Sequence, residues 1–318
     1  MGPALCLVSA ACFGAMAVFG KLAFAAGVPL GTLLLLRFSL AALLLGLVLL
    51  LLPGTRAPRE PGRPRAGSLP RRVVVVGLGL GAVGYVTQAG LYFAALERVD
   101  ASLVALVFYV YPALVTVVAV LLGRDRLTRA RAAAVLVASA GTLLVLAGAG
   151  GLRFDAAGVA MAFGAAATYT VYILVADTTV HRVPPVVLSA LVMTGAAATL
   201  ALRNALTGGA DLALPAAGWL WIGCIAVVST VVAMLAFFAG LRRTGPSTAA
   251  TLSTAEPVVT TALAALALGE FLTPVQLAGG LLVLTSVVLV QLRPRARRAD
   301  PSQPVAVPVA AAPQRAPA

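Results

Sequence analysis

Apolar residues run along this chain in blocks of about twenty, and polar residues gather in the short stretches between the blocks. Within a block there is neither the alternation of a half-buried strand nor the one-sided stripe of a soluble amphipathic helix. The length is that of a helix crossing a bilayer, roughly 20 residues. The pattern predicts ten spans, over 3–25, 30–52, 73–95, 101–122, 130–150, 156–176, 184–203, 215–239, 247–268 and 274–292. Ala23-Phe24-Ala25 mimics a signal-peptide cleavage site, but no basic segment precedes the first block and its apolar stretch is too long, so it is read as a retained helix. Residues 53–72 form a Pro/Arg/Gly-rich loop that no bilayer would accept. Residues 293–318 begin basic and become Pro/Ala-rich, which predicts a disordered tail.

One segment occurs twice. Residues 95–128 and 240–273 align without a gap at an offset of 145, sharing Leu96/Leu241, Arg98/Arg243, Ser102/Ser247, Pro112/Pro257 and the closing Leu127-Thr128/Leu272-Thr273. Phe13-Gly14-Ala15 is echoed more loosely by Phe163-Gly164-Ala165. The charges flanking the long copies are exchanged: the first runs into Arg124, Arg126, Arg129 and Arg131, whereas Arg242-Arg243 comes before the second. Alternating the loops from a cytoplasmic 53–72 segment puts eighteen basic residues inside and four outside, Arg37 lying within a span. Both termini are therefore expected in the cytoplasm, as in a multi-pass protein of the bacterial inner membrane. Two units follow, 4–150 and 156–292. Five spans per unit is odd, so the second copy must be inverted, an architecture common among transporters. The fold class expected is all-α, with ten transmembrane helices in two inverted five-helix repeats.

Composition agrees and removes alternatives. The chain is 61% hydrophobic and 10% charged, with mean hydropathy +1.04, whereas soluble domains carry about 25% charged residues. Its net charge of +13 comes from arginines in loops and tail, not from one polar face of the kind that tracks nucleic acid. Cys6, Cys12 and Cys224 lie inside apolar blocks without ligand-like spacing, so neither a disulfide framework nor a metal site is expected. No cofactor is implied.

With ten spans, a 5+5 repeat, YVYPALVTVVAVLLGRDRLT from Tyr109 and AEPVVTTALAALALGEFLT from Ala255, the chain resembles EamA-type members of the drug/metabolite transporter superfamily over residues 4–292. The resemblance implies helices of both halves around a central cavity, and export or exchange of small metabolites or drugs. It does not fix a substrate. The chain departs from the pattern at Gly123-Arg124-Asp125, where the family usually has Gly-Glu.

A charge held within hydrocarbon is costly, so the few that persist are candidates for function. Arg37 and Glu256 are the two clearly inside spans. Glu256 is expected roughly 14 Å deep, where it would hold a proton, attract a cationic solute or pair with Arg37. Arg37 is closer to a span end and able to snorkel outwards. Pro257 and its counterpart Pro112 each remove a backbone donor and free a carbonyl. Tyr111 occupies the position of Glu256 in the first copy, and Tyr109, two residues back, is expected to face elsewhere. Tyr85 with Gln88, and Tyr169 with Tyr172, stand three apart on shared helix faces and suit a cavity for organic solutes. Thr168 sits beside Tyr169 in the same span, and Ser253 and Thr254 either line that cavity or bond their own helix backbone. Gly77, Gly79, Gly81, Gly84, Gly279 and Gly280 read as packing positions. The GLGLGAVG run lacks the strand-turn-helix context of a nucleotide loop.

These residues predict a secondary transporter working by alternating access, with a small-molecule solute, the lipid bilayer and, as one energy source, protons as partners. Solute exchange is the other source, since no Walker-type loop is present. An intramembrane enzyme fits poorly. His181, the single histidine, falls in a loop, and the acidic residues other than Glu256 lie outside the spans. A lipid-moving or structural membrane protein is the rival reading, which a lateral opening between helices would favour.

Overall fold

The computed structural model describes residues 1–52, 70–123, 128–148, 155–180, 183–244, 249 and 252–291. Most of the 53–72 loop, Arg124, Arg126, Arg153, Arg182 and the 293–318 tail lie outside the described residues. Described residues are helical, in turns or in irregular connections, with no strand among them. In chain order the helices are α1 (Gly2–Ala25), α2 (Leu30–Leu51), α3 (Arg71–Leu96), α4 (Ala101–Leu121), α5 (Arg129–Ala147), α6 (Ala156–Val180), α7 (Pro185–Leu206), α8 (Ala216–Leu241), α9 (Ala255–Leu268) and α10 (Pro274–Gln291). Among the described residues, seven are long and apolar enough to cross a membrane: α1 to α4 and α6 to α8.

Three of the expected spans are shorter apolar helices. Arg129 and Arg131 occupy the first turn of α5, so its apolar part begins only at Ala132. A turn at Thr254 precedes α9, and Pro257 lies in its first turn, where a missing N–H costs nothing. Proline also marks the other starts: Pro29, Pro70, Pro184 and Pro215 precede α2, α3, α7 and α8. Glycine closes α9: Gly269 has φ +69°, and the Glu270 N–H donates back to Ala264 O at 3.2 Å.

The helices pair across the middle of the chain. α1 packs on α8 and α9, α6 packs on α3 and α4, α2 on α7, and α5 on α10. Glycines set the closest approaches. A Cβ on Gly81 would strike the Val192 carbonyl of α7, and one on Gly195 the Leu78 carbonyl of α3. Gly141 and Gly279 face each other's carbonyls reciprocally, at 2.7 and 2.6 Å from the Cβ each lacks. The packing expectation for Gly81 and Gly279 is met; Gly79 has no neighbour within 4 Å.

The core is a large cluster around Phe38, Phe93, Leu96, Met193 and Ile222, with a smaller one of Val73, Leu80, Val183, Leu188 and Val192 between α3 and α7. Outward faces are apolar as well, with Leu43, Leu136, Leu143 and Leu281 exposed. Together with the seven long apolar helices, this surface is that of a membrane protein.

Two helices are locally wound as π-helix, over Leu80–Tyr85 in α3 and Val227–Val232 in α8. The Thr230 hydroxyl donates to Ile225 O, five residues back, at 2.9 Å. α4 is interrupted at Tyr109-Val110 just before Pro112, as the chain is interrupted at Thr254 before Pro257.

Candidate functional site

These local irregularities aim side chains into one place. A cavity of about 100 Å³ lies among α1, α2, α3, α4, α6 and α9. Arg37, Tyr85, Gln88, Tyr109, Tyr111 and Tyr169 line it, and Glu256 enters from the start of α9. Seven of the eleven polar candidates read from the sequence are thus brought together. The π-turn in α3 ends at Tyr85, and such insertions often accompany functional sites.

Tyr109 corrects an expectation. On a continuous helix it would turn away from Tyr111, but the break at Tyr109-Val110 resets the phase. Both rings face the cavity, with centroids 5.6 Å apart. The Tyr109 hydroxyl is placed to donate to Ser253 O at 2.9 Å and to Glu256 Oε2 at 3.1 Å. It therefore ties the broken part of α4 to the first turn of α9. Glu256 is partly buried, with its remaining surface on the cavity.

Arg37 also differs from expectation. It does not snorkel: the residue is 2% exposed, and its guanidinium carbon lies 5.1 Å from the Phe38 ring centroid and 5.3 Å from that of Phe93. Nor does it pair with Glu256. The ion pairs among the described residues are Lys21–Glu270 and Arg98–Asp155, and the Arg37 Nε–H has no hydrogen-bond partner. Aromatic contact covers the charge, Tyr85 stands within hydrogen-bonding reach of the guanidinium, and the Nε–H is left over.

Tyr172, Ser253, Thr168 and Thr254 are not among the cavity's lining residues. Tyr172 stacks on Tyr169 at 5.7 Å with 9° between the ring planes, and so buttresses a lining ring. Ser253 donates its hydroxyl to Ala249 O at 3.0 Å, the backbone alternative for this residue, and Thr168 likewise bonds Gly164 O. Sequence reasoning missed Phe13, Met16, Tyr92, Phe93 and Phe108, which also line the cavity. Tyr92 had a signal, falling seven residues after Tyr85 and four after Gln88 on one helix face. Phe13 and Met16 had none among so many apolar neighbours.

A larger void of about 390 Å³ opens sideways between α9 and α10, lined by Pro257, Val258, Leu277 and Leu281 with Glu270 at its rim. It is nearly all apolar and does not contain Glu256. The polar groups that could select a solute converge in the smaller central cavity.

Two contacts close one end of the helices. Glu270 accepts from the Ala101 N–H at 2.8 Å at the start of α4 and lies 3.8 Å from Lys21 of α1. Asp155 accepts from the Ala157 N–H, capping α6, and pairs with Arg98 at 2.9 Å. Burial pushes the Glu270 carboxyl up and Lys21 offsets this in part. The Arg98 hydrogen bond, with the Ala157 N–H, holds Asp155 below its usual range.

A family model described as "EamA-like transporter family" matches residues 1–147 and 156–292. The chain is 28% identical over 285 residues to the uncharacterized transporter YcbK of Bacillus subtilis, covering 87% of this chain and 88% of that protein. It is 32% identical over 170 residues to the uncharacterized transporter YwfM of the same organism, covering 52% and 55%. A solved crystal structure, 23% identical, superposes with a TM-score of 0.59 over 91% of this chain and 95% of that one, a likeness of fold.

Proposed function

This chain belongs to the EamA-like transporter family, and we propose that it is a secondary transporter exchanging or exporting a small organic solute across the bacterial inner membrane by alternating access. The observation that carries this reading is the central cavity, where buried Arg37 and half-buried Glu256 line the same space without pairing. Its walls come from both matched segments, α1 to α4 and then α6 and α9. At about 100 Å³ it is smaller than the roughly 300–1,000 Å³ of small-molecule sites. A solute enters only when the halves rock apart.

Ten spans in two inverted units, 4–150 and 156–292, are part of the proposal. Its support is the exchange of partners: α1 packs on α8 and α9 as α6 packs on α3 and α4, each number shifted by five. The π-turns recur 147 residues apart and the helix breaks 145 apart. Cytoplasmic termini follow from the arginine distribution, and a reporter fused after Ala318 should be active only if that end is inside.

The test is flux. Purified protein in proteoliposomes is loaded with unlabelled solutes from a panel of amino acids, organic acids, nucleosides, polyamines and sugars, and labelled counterflow is measured. Saturable flux above protein-free vesicles supports the reading; its absence across the panel overturns it. If Glu256 couples transport to protons, Glu256→Gln abolishes the pH dependence of that flux, and an unchanged pH profile removes the coupling role.

The lateral groove between α9 and α10 favours lipid handling as a second reading. Scrambling of a fluorescent phospholipid by the same vesicles separates the two.

A further inference from the structure

Arg37 is the residue whose chemistry the fold leaves unfinished. Its guanidinium is buried on α2, two rings lie within 5.3 Å of its carbon, and Tyr85 stands beside it. No carboxylate pairs with it, and its Nε–H has no acceptor. The aromatic rings interact with the π-face of the cation, whereas its N–H donors lie in the plane of the group and need oxygen acceptors. Arg37 is among the residues that line the cavity and its Nε is buried there, so an acceptor meets these donors once the site opens.

Glu256 does not supply that acceptor. One of its oxygens receives the Tyr109 hydroxyl at 3.1 Å, and the carboxylate and guanidinium make no ion pair. Tyr85 serves another part of the guanidinium, and among the described residues none accepts from Nε, which leaves that place to a ligand.

We infer that Arg37 recognises a carboxylate, and that the solute is an organic monoanion whose apolar body lies among the cavity's aromatic rings. This rests on the cavity being the solute site. A planar carboxylate matches the fork made by Nε and one Nη, giving two parallel charge-assisted bonds. Phosphate fits less well, because among the described residues Arg37 is the one cation on the wall and a second negative charge would go unanswered. An organic cation fits less well too: the anion available to it, Glu256, already holds a hydrogen bond, and the orphaned group is a donor. Phe93, Phe108, Tyr92 and Tyr111 supply the surface for the rest of the molecule.

Three probes of nearly one size separate the possibilities: benzoate, neutral benzamide and cationic benzylamine. Binding to the purified full chain is measured by calorimetry, without any flux. Benzoate should bind at least about tenfold more tightly than either of the others, the worth of one charge-assisted pair. That preference should fall to about twofold or less in Arg37→Gln. Should Arg37→Gln fail to fold, Arg37→Lys takes its place. It keeps the charge, cannot present two parallel donors, and should lose most of the preference. Equal binding of benzamide, tighter binding of benzylamine, no benzoate binding, or a preference that survives both variants overturns the inference. Counterflow reports separately on transport. Flux without a carboxylate preference removes this inference alone, whereas benzoate binding without flux keeps Arg37 as an anion site and removes the transport reading.

Discussion

Gly14 offers the sharpest test of how α9 is held against α1, and so of what positions Glu256. A Cβ built there lies 2.7 Å from the Glu256 carbonyl oxygen and 3.2 Å from the Thr260 nitrogen and hydroxyl. Thr260 in turn donates to Gly14 O at 2.9 Å. In Gly14→Ala the helices must separate by roughly 0.5–0.8 Å to restore van der Waals contact. Overpacking of that kind costs about 1–3 kcal/mol, partly offset by up to about 1 kcal/mol from replacing glycine inside a helix. Gly46 of α2, with nothing within 4 Å of its missing Cβ, is the internal control. Gly46→Ala gains the helical term alone. The two variants should therefore shift thermal unfolding in opposite directions, separated by about 1–3 kcal/mol or a few degrees. Intrinsic fluorescence of Trp219 and Trp221 reads the transition in detergent; Trp221 stacks on Phe19 of α1 at 5.8 Å. If Gly14→Ala unfolds at or above the temperature of Gly46→Ala, the α1–α9 contact is not close, and the account of how Glu256 is positioned fails with it.

Tyr109→Phe removes one hydroxyl that serves both Ser253 O and Glu256 Oε2. It should cost about 1–2 kcal/mol, and a double-mutant cycle with Glu256→Gln should show coupling of at least about 0.5 kcal/mol; additive losses would disprove the bond. Gly141→Ala and Gly279→Ala spoil one reciprocal contact, so the double variant should lose clearly less stability than the sum of the singles in the same unfolding assay. The two carboxylates at the closed end should respond to pH with opposite signs. Asp155 is held below its usual value, so its contribution is present above the usual carboxylate range and is lost as pH falls through the lowered value. Glu270 is pushed above its usual value, so its contribution is greatest at acid pH and declines as pH rises through the raised value. Asp155→Asn and Glu270→Gln should each flatten the corresponding limb of the unfolding-temperature profile, and matching profiles in variant and parent would refute the assignment.

Much of this site was legible because the membrane makes polar residues rare. Arg37 and Glu256 stood out against apolar spans, and the spacing of Tyr85 from Gln88 named a face that does line the cavity. What the residues could not convey was phase. Tyr109 and Tyr111 diverge on any continuous helix, and only the interruption at Tyr109-Val110 brings both rings to one wall. Pro112 was visible as a breaker, but a proline in a helix's first turn ends nothing by itself; where the preceding segment stops depends on its packing against α6 and α9. Arg37 shows the complementary gap. Hydropathy finds a buried charge, but it carries no information on whether a partner waits for it. Snorkelling and pairing with Glu256 were both reasonable resolutions, and the fold adopts neither. It covers the cation with rings and leaves its buried Nε–H without a partner. A folded chain that tolerates such a donor forgoes a stabilising bond in the empty state and regains it when an acceptor arrives, which is how a site gains affinity for one chemistry over another.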